Sequence, residues 1–168
     1  MHYWIDGYNL LFRLSTVKGT LEKKRQDLIL ELNEQAKTLN LQTTVVFDSS
    51  DKGRVLDTRS HYDALEIIYT TSKKTADDSI LDSVEFSSYP EDICVVTCDK
   101  DLARKAKALK ANTLSLEDFF KLLTKRQNKK QRELESSLEC VESPRELSRL
   151  LSIFEKKFLE NSKKDKNS

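Results

Sequence analysis

Residues 93–101 read Ile93-Cys94-Val95-Val96-Thr97-Cys98-Asp99-Lys100-Asp101, a short apolar and β-branched run that ends abruptly in charge. A run without alternating polar positions suits a strand covered on both faces, as in a parallel sheet, and an aspartate just past it is a favoured helix N-cap. The stretch therefore predicts a strand over 93–97 and a helix over 99–110. The same grammar recurs upstream. Val45-Val46-Phe47-Asp48 closes a strand over 43–47, Asp6 follows a strand over 2–5, and residues 65–70 form another apolar, β-branched run.

Helical patterns lie between these runs. Residues 21–39 place Leu21, Leu28, Leu32, Ala36 and Leu39 mostly at helical spacing, with Thr20 or Gly19 as the start signal. Thr75-Ala76-Asp77-Asp78 opens a helix with Thr75 as N-cap and acidic residues where the macrodipole favours them. A weak strand over 112–114 leads into Ser115-Leu116-Glu117-Asp118, the spacing of a capping box, and a helix through Leu123. Asp6-Gly7-Tyr8-Asn9 reads as a turn, and residues 49–57 as a loop.

Strands separated by helices define an α/β class with a mostly parallel sheet and right-handed crossovers. After Thr124 the pattern turns wholly helical, over 126–140 and, past Ser143-Pro144, over 145–159 with a stripe of Leu147, Leu150, Leu151, Phe154 and Phe158. The expected organisation is a main domain over 1–125, a helical C-terminal extension over 126–160 and a disordered basic tail over 161–168.

Composition narrows the class further. The 168 residues carry 29 Lys+Arg against 28 Asp+Glu, and with Gly 3 and Pro 2 the chain is neither collagenous nor a turn-rich β-barrel. No apolar run approaches the length of a membrane span, and Met1-His2-Tyr3-Trp4-Ile5-Asp6 lacks the basic start and apolar stretch of a signal peptide, so the expected compartment is the cytosol, with no membrane partner. Cys94, Cys98 and Cys140 contain no CxxC pair, which excludes a zinc knuckle of that type and a disulfide framework. Residues 1–120 are net acidic, whereas 121–168 are net basic. The basic end suits either a polyanion partner or an ordinary solvated helix face.

In an open parallel sheet the working crevice lies beyond the carboxyl ends of the strands, where Asp6, Asp48 and Asp99 stand. One such aspartate ordinarily caps a helix. Several converging on one cleft repel one another unless protons or cations neutralise them, which makes a poor purely structural arrangement. Asp77 joins them by helical geometry, being in line with Ile80, Leu81 and Val84. Asp78 is rotated away and is a second-choice ligand. Asp101, two residues past Asp99, either completes the site or favours the helix dipole. An oxygen-only donor set suits Mg²⁺ or Mn²⁺ rather than zinc, and such an ion polarises a phosphoryl oxygen and delivers water in phosphodiester hydrolysis.

Four motifs, Asp6-Gly7-Tyr8-Asn9-Leu10, Val45-Val46-Phe47-Asp48, Thr75-Ala76-Asp77-Asp78 and Val96-Thr97-Cys98-Asp99, together resemble the YacP-like branch of the NYN domains, which are PIN-like endoribonucleases. The resemblance covers roughly residues 1–125. It implies a PIN-like three-layer fold, a divalent-metal site and endonucleolytic cleavage of RNA, namely mRNA in connection with translation, with the ribosome as a further partner and a 5′-phosphate on the downstream product. By matching position it makes Asp6, Asp77 and Asp99 the metal-binding carboxylates, helped by Asp78, Asp101 or Asp48, with Asn9 orienting water or phosphate. Two departures stand out: Ser49-Ser50 where the family often has Ala-His, and Cys98 where a serine is expected before the last aspartate.

For contact with RNA the candidates are Lys52, Arg54, Arg59, Lys73, Lys74 and Lys100, in loops or helix starts near the acidic end of the sheet, with Tyr8 and Tyr62 as candidates for stacking a base. Cys98 alternates with Cys94 and Val96, which makes it a small core residue rather than a reactive thiol. No Walker A, G-x-G-x-x-G or G-x-S-x-G sequence is present, against nucleotide-driven, dinucleotide and serine-hydrolase chemistry. The competing class is a non-catalytic RNA- or ribosome-binding module on the same fold. The acidic set favours the enzyme, since a binder of polyanions gains nothing from carboxylates facing its ligand.

Overall fold

Tyr3, Ile5, Val45, Phe47, Leu65, Ile67, Cys94 and Val96 pack into one apolar cluster, while Trp4, Val46, Ile68, Ile93 and Val95 pack into another. The period of two along each strand divides them between the faces of one sheet, and apolar residues on both faces require a layer of helices on each. The computed structural model describes residues 1–14, 19–49 and 56–136, the side chains of 134–136 excepted. The helices expected beyond residue 136, the basic tail, Lys52 and Arg54 fall outside the described residues.

The strands are β1 (His2–Asp6), β2 (Gln42–Phe47), β3 (Thr58–Tyr62), β4 (Leu65–Tyr69), β5 (Ile93–Val96) and β6 (Asn112–Leu114). They form a six-stranded sheet in the order β3-β4-β2-β1-β5-β6, parallel throughout except that β3 runs antiparallel to β4. The helices are α1 (Gly7–Arg13), α2 (Leu21–Leu39), α3 (Ala76–Glu85), α4 (Lys100–Ala108) and α5 (Leu116–Ser136). Helices α1, α2 and α5 cover one face through Leu10, Leu28, Leu32, Phe119 and Leu123, and α3 and α4 cover the other through Ile80, Val84, Leu102 and Ala106. The mixed α/β class and the mostly parallel sheet agree with the sequence, and so do the start signals: Thr20, Thr75 and Asp99 each cap the helix they precede.

Four local readings need correction. Asp6-Gly7-Tyr8-Asn9 is not a turn; Asp6 is the N-cap of α1, its Oδ1 accepting from the Asn9 backbone N–H at 3.0 Å. Strand β3 carried no signal, because every residue of this edge strand is exposed and none of its spacing is apolar. The helix expected to end at Leu123 continues through 124–125 to Ser136, with no Gly or Pro to stop it and the Thr124 hydroxyl bonded back to Phe120 O at 2.9 Å. Cys98 is exposed, because β5 ends at Val96 and the alternation does not extend past it.

Gly7 admits the tight entry into α1. A Cβ there would stand 2.4 Å from Cε1 of Phe47, itself fully buried. Gly7→Ala is therefore expected to force the Phe47 ring from its seat between Tyr8 and Tyr69 at a cost of about 1–3 kcal/mol, seen as a lower midpoint in urea. An unchanged midpoint would show that the ring can move aside without loss.

Candidate active site

Strand alternation sends Asp6, next after Ile5, and Asp48, next after Phe47, to the α3–α4 side of the sheet end. Asp48 Oδ1 accepts from the backbone N–H of Ala76 at 2.5 Å, tying the end of β2 to the first turn of α3. That turn carries Asp77, in phase with the buried Ile80 and Val84. Asp99 caps α4, its Oδ1 accepting from Asp101 N at 2.6 Å and Leu102 N at 3.1 Å, while its own N–H donates to Thr97 Oγ1 at 3.0 Å.

These four carboxylates act on one another electrostatically. Burial pushes Asp77 up from 3.8 to about 6, and the charges of Asp6, Asp99, Asp48 and Asp78 add to the rise. Burial likewise raises Asp6, with Asp48 and Asp99 contributing, against the lowering effect of the Asn9 and Tyr8 backbone N–H groups. No Lys or Arg lies within ion-pair distance of Asp6, Asp48, Asp77 or Asp99 among the described residues. Hard oxygen donors left to repel one another fit a divalent cation in kind. As they stand, no three His, Cys, Asp or Glu side chains among the described residues are gathered closely enough to hold one.

The remaining acidic candidates are otherwise engaged. Asp78 completes a capping box, its Oδ2 accepting from Thr75 N at 3.3 Å while Thr75 Oγ1 accepts from Asp78 N at 3.1 Å, and these bonds hold its carboxyl below the ordinary range. Asp101 is bonded to Arg104 at 2.5 Å and Lys105 at 3.0 Å, which lowers it too. Lys105 had not been singled out from sequence; its ammonium also acts on Asp77 and Asp78, a contact set by the packing of α4 beside α3. Asn9 is half-buried beside Asp6.

Among the basic candidates, Lys73 and Lys100 are exposed at this end of the sheet. Lys74 pairs with Asp82 at 2.8 Å and Asp57 at 3.6 Å, and Arg59 with Glu66 at 3.2 Å. Tyr8 is half-buried against Phe47, and Tyr62 is exposed on the edge strand β3. No helix among the described residues is long and apolar enough to cross a membrane.

No curated protein sequence matches the chain. Among solved structures, Rae1 (YacP) from Bacillus subtilis, in a tryptophan-to-leucine variant, superposes with a TM-score of 0.61 at 20% identity over 100% of both chains. A second structure of Rae1 (YacP) from Bacillus subtilis gives 0.60 at 19% identity, covering 81% of this chain and 80% of that one. At such identity the likeness is one of fold. The sequence profile of the YacP-like NYN domain matches residues 3–164, nearly the whole length. With Asp6 at the end of β1, Asp48 and Asp99 beyond the ends of β2 and β5, and the order of its four motifs, the chain belongs to the YacP-like NYN domain family, whose domain is of the nuclease type.

Proposed function

We propose that the chain is a divalent-metal-dependent endoribonuclease that hydrolyses RNA phosphodiester bonds. The observation that carries this reading is the set of mutually repelling carboxylates, Asp6, Asp48, Asp77 and Asp99, half-buried or at the sheet end without a cationic partner among the described residues. Clustered like charge destabilises a metal-free protein and serves no binder of polyanions, whereas a bound cation turns it into a ligand set. In this reading Asp6, Asp77 and Asp99 would hold Mg²⁺ or Mn²⁺, with Asp48 as a further ligand or as the group that ties α3 in place. The ion, when bound, would polarise a phosphoryl oxygen and supply the nucleophilic water at neutral pH.

The chain's own residues supply the rest. The Thr75–Asp78 capping box fixes the first turn of α3 and so the aim of Asp77. Asn9 stands beside Asp6 with an amide suited to orienting water or a phosphate oxygen. Lys73 and Lys100 offer phosphate contacts on either side of the carboxylates, which position the strand without reading its sequence. Asp101, held by Arg104 and Lys105, is a support for α4 rather than a ligand. The resemblance extends the proposal to cytosolic mRNA engaged in translation, with the ribosome presenting the substrate and a 5′-phosphate left downstream.

The test is cleavage by the full chain of RNA alone and of mRNA on translating ribosomes, with Mn²⁺ or with chelator, the new ends mapped and their 5′ groups identified. Metal-dependent internal cuts bearing 5′-phosphates are expected. RNA or ribosomes bound equally well with and without metal, and never cut, would make the chain a binding module instead.

A further inference from the structure

On the opposite side of the sheet end from the carboxylates, Arg25 of α2 is fixed by neutral groups. Its NH1 donates to the Tyr8 hydroxyl at 3.2 Å, and its guanidinium lies 5.3 Å from the centre of the Tyr69 ring. No carboxylate lies within ion-pair distance of it among the described residues. A guanidinium held by neutral groups has no counter-charge beside it and most of its five donors to offer another partner. The rings around it are themselves locked. Tyr8 meets Phe47 edge-on at 5.3 Å, and Phe47 stacks on Tyr69 at 5.7 Å. Tyr8 also stacks on Phe12 at 5.9 Å with 22° between planes, and Phe12 is 63% exposed.

This group adjoins the carboxylates through the chain itself: Tyr8 lies two residues past Asp6, Phe47 immediately precedes Asp48, and Tyr69 pairs in register with Phe47. A strand of nucleic acid crossing the end of the sheet would meet carboxylates on one side and a planar cation beside flat rings on the other. An acidic crevice repels a polyanion, so a cation fixed at its rim is what lets a phosphate approach, and an exposed ring beside it accepts an unpaired base.

We propose that Arg25, Tyr8 and Phe12 form a platform for one nucleotide of single-stranded RNA flanking the carboxylates, Arg25 binding its phosphate and the Phe12–Tyr8 stack its base. The proposal deepens the endoribonuclease reading and rests on it for the class of substrate.

Its test uses the full chain without divalent metal and a single-stranded RNA oligonucleotide carrying 2-aminopurine, read by anisotropy and by quenching. Arg25→Gln is expected to weaken binding about tenfold and to reduce the salt dependence by about 0.7, one single-strand phosphate contact. Arg25→Lys should restore that slope but not the affinity, which separates phosphate contact from any bracing of Tyr8, since bracing alone leaves the slope unchanged. Phe12→Leu should relieve the quenching and weaken binding about fivefold at unaltered slope. Wild-type affinity, slope and quenching in both Arg25→Gln and Phe12→Leu would overturn the platform, as would absence of binding by the wild-type chain. Platform-dependent binding without cleavage under any metal would instead remove the nuclease reading and leave the platform standing.

Discussion

Asp77→Asn and Asp6→Asn are each expected to lower metal-dependent RNA cleavage by about 10²–10³-fold, because a catalytic ion is worth several kcal/mol and each 1.36 kcal/mol is a decade in rate. Asparagine keeps the shape of the side chain and removes the charge that a hard cation requires. At position 77 nothing else is disturbed: the helix start is held by Thr75 and Asp78 and by the Ala76 N–H on Asp48, none of which involves the Asp77 side chain. Asp101→Asn is the contrasting case. Its carboxylate is exposed and paired with Arg104 and Lys105, so the same substitution should change the rate by less than about threefold, as for an ordinary surface ion pair. Single-turnover rates at fixed Mn²⁺ separate the two. Should Asp77→Asn cleave as fast as Asp101→Asn, Asp77 is no part of the site.

That contrast marks where sequence stopped being informative. The position of Asp77 was legible because helical phase ties it to Ile80 and Val84, and a strand buried on both faces announces itself as a continuous apolar run, so β1, β2, β4 and β5 were legible too. Asp101 was not, since an acid in a first helical turn serves the dipole or a ligand equally well, and its pairing with Arg104 and Lys105 depends on how those two side chains fold back in the structure. Helix α1 read as a turn because a Gly beside Asp is the usual turn signal, while the actual reason for Gly7 is the Phe47 ring, which is 40 residues away in sequence. Edge strand β3 gave no alternation to read. Arg25 is one polar position among many on α2; its partners Tyr8 and Tyr69 come from two other elements, and no spacing within the helix reveals them.

The burial of Asp77, with the like charges around it, also bears on the stability of the metal-free protein, and with a definite sign. Asp77 has its folded value raised to about 6 from 3.8. Between those values the native state holds more protons than the unfolded chain, so stability is fully present below about pH 4 and is lost as pH rises through 6. Asp77 is half-exposed, and after allowance for solvent screening the loss at neutral pH is about 1 kcal/mol. Asp77→Asn, which cannot ionise, should therefore melt about 2–4 °C above wild type near pH 7.5 without metal, and the gain should vanish near pH 4. Saturating Mn²⁺ reverses the order. An ion that binds only the native state at a hundred times its Kd stabilises wild type by about 2.7 kcal/mol, whereas the variant, short of one ligand, gains far less. Protons compete for the same oxygens, so the gain in wild type should shrink as pH falls below about 6. Thermal unfolding of both proteins across pH, with and without Mn²⁺, makes the test independent of any RNA substrate. A variant that melts with wild type at every pH, in a protein indifferent to metal, would mean that Asp77 neither loses stability by ionising nor helps to bind an ion, and the case for a metal centre there would go with it.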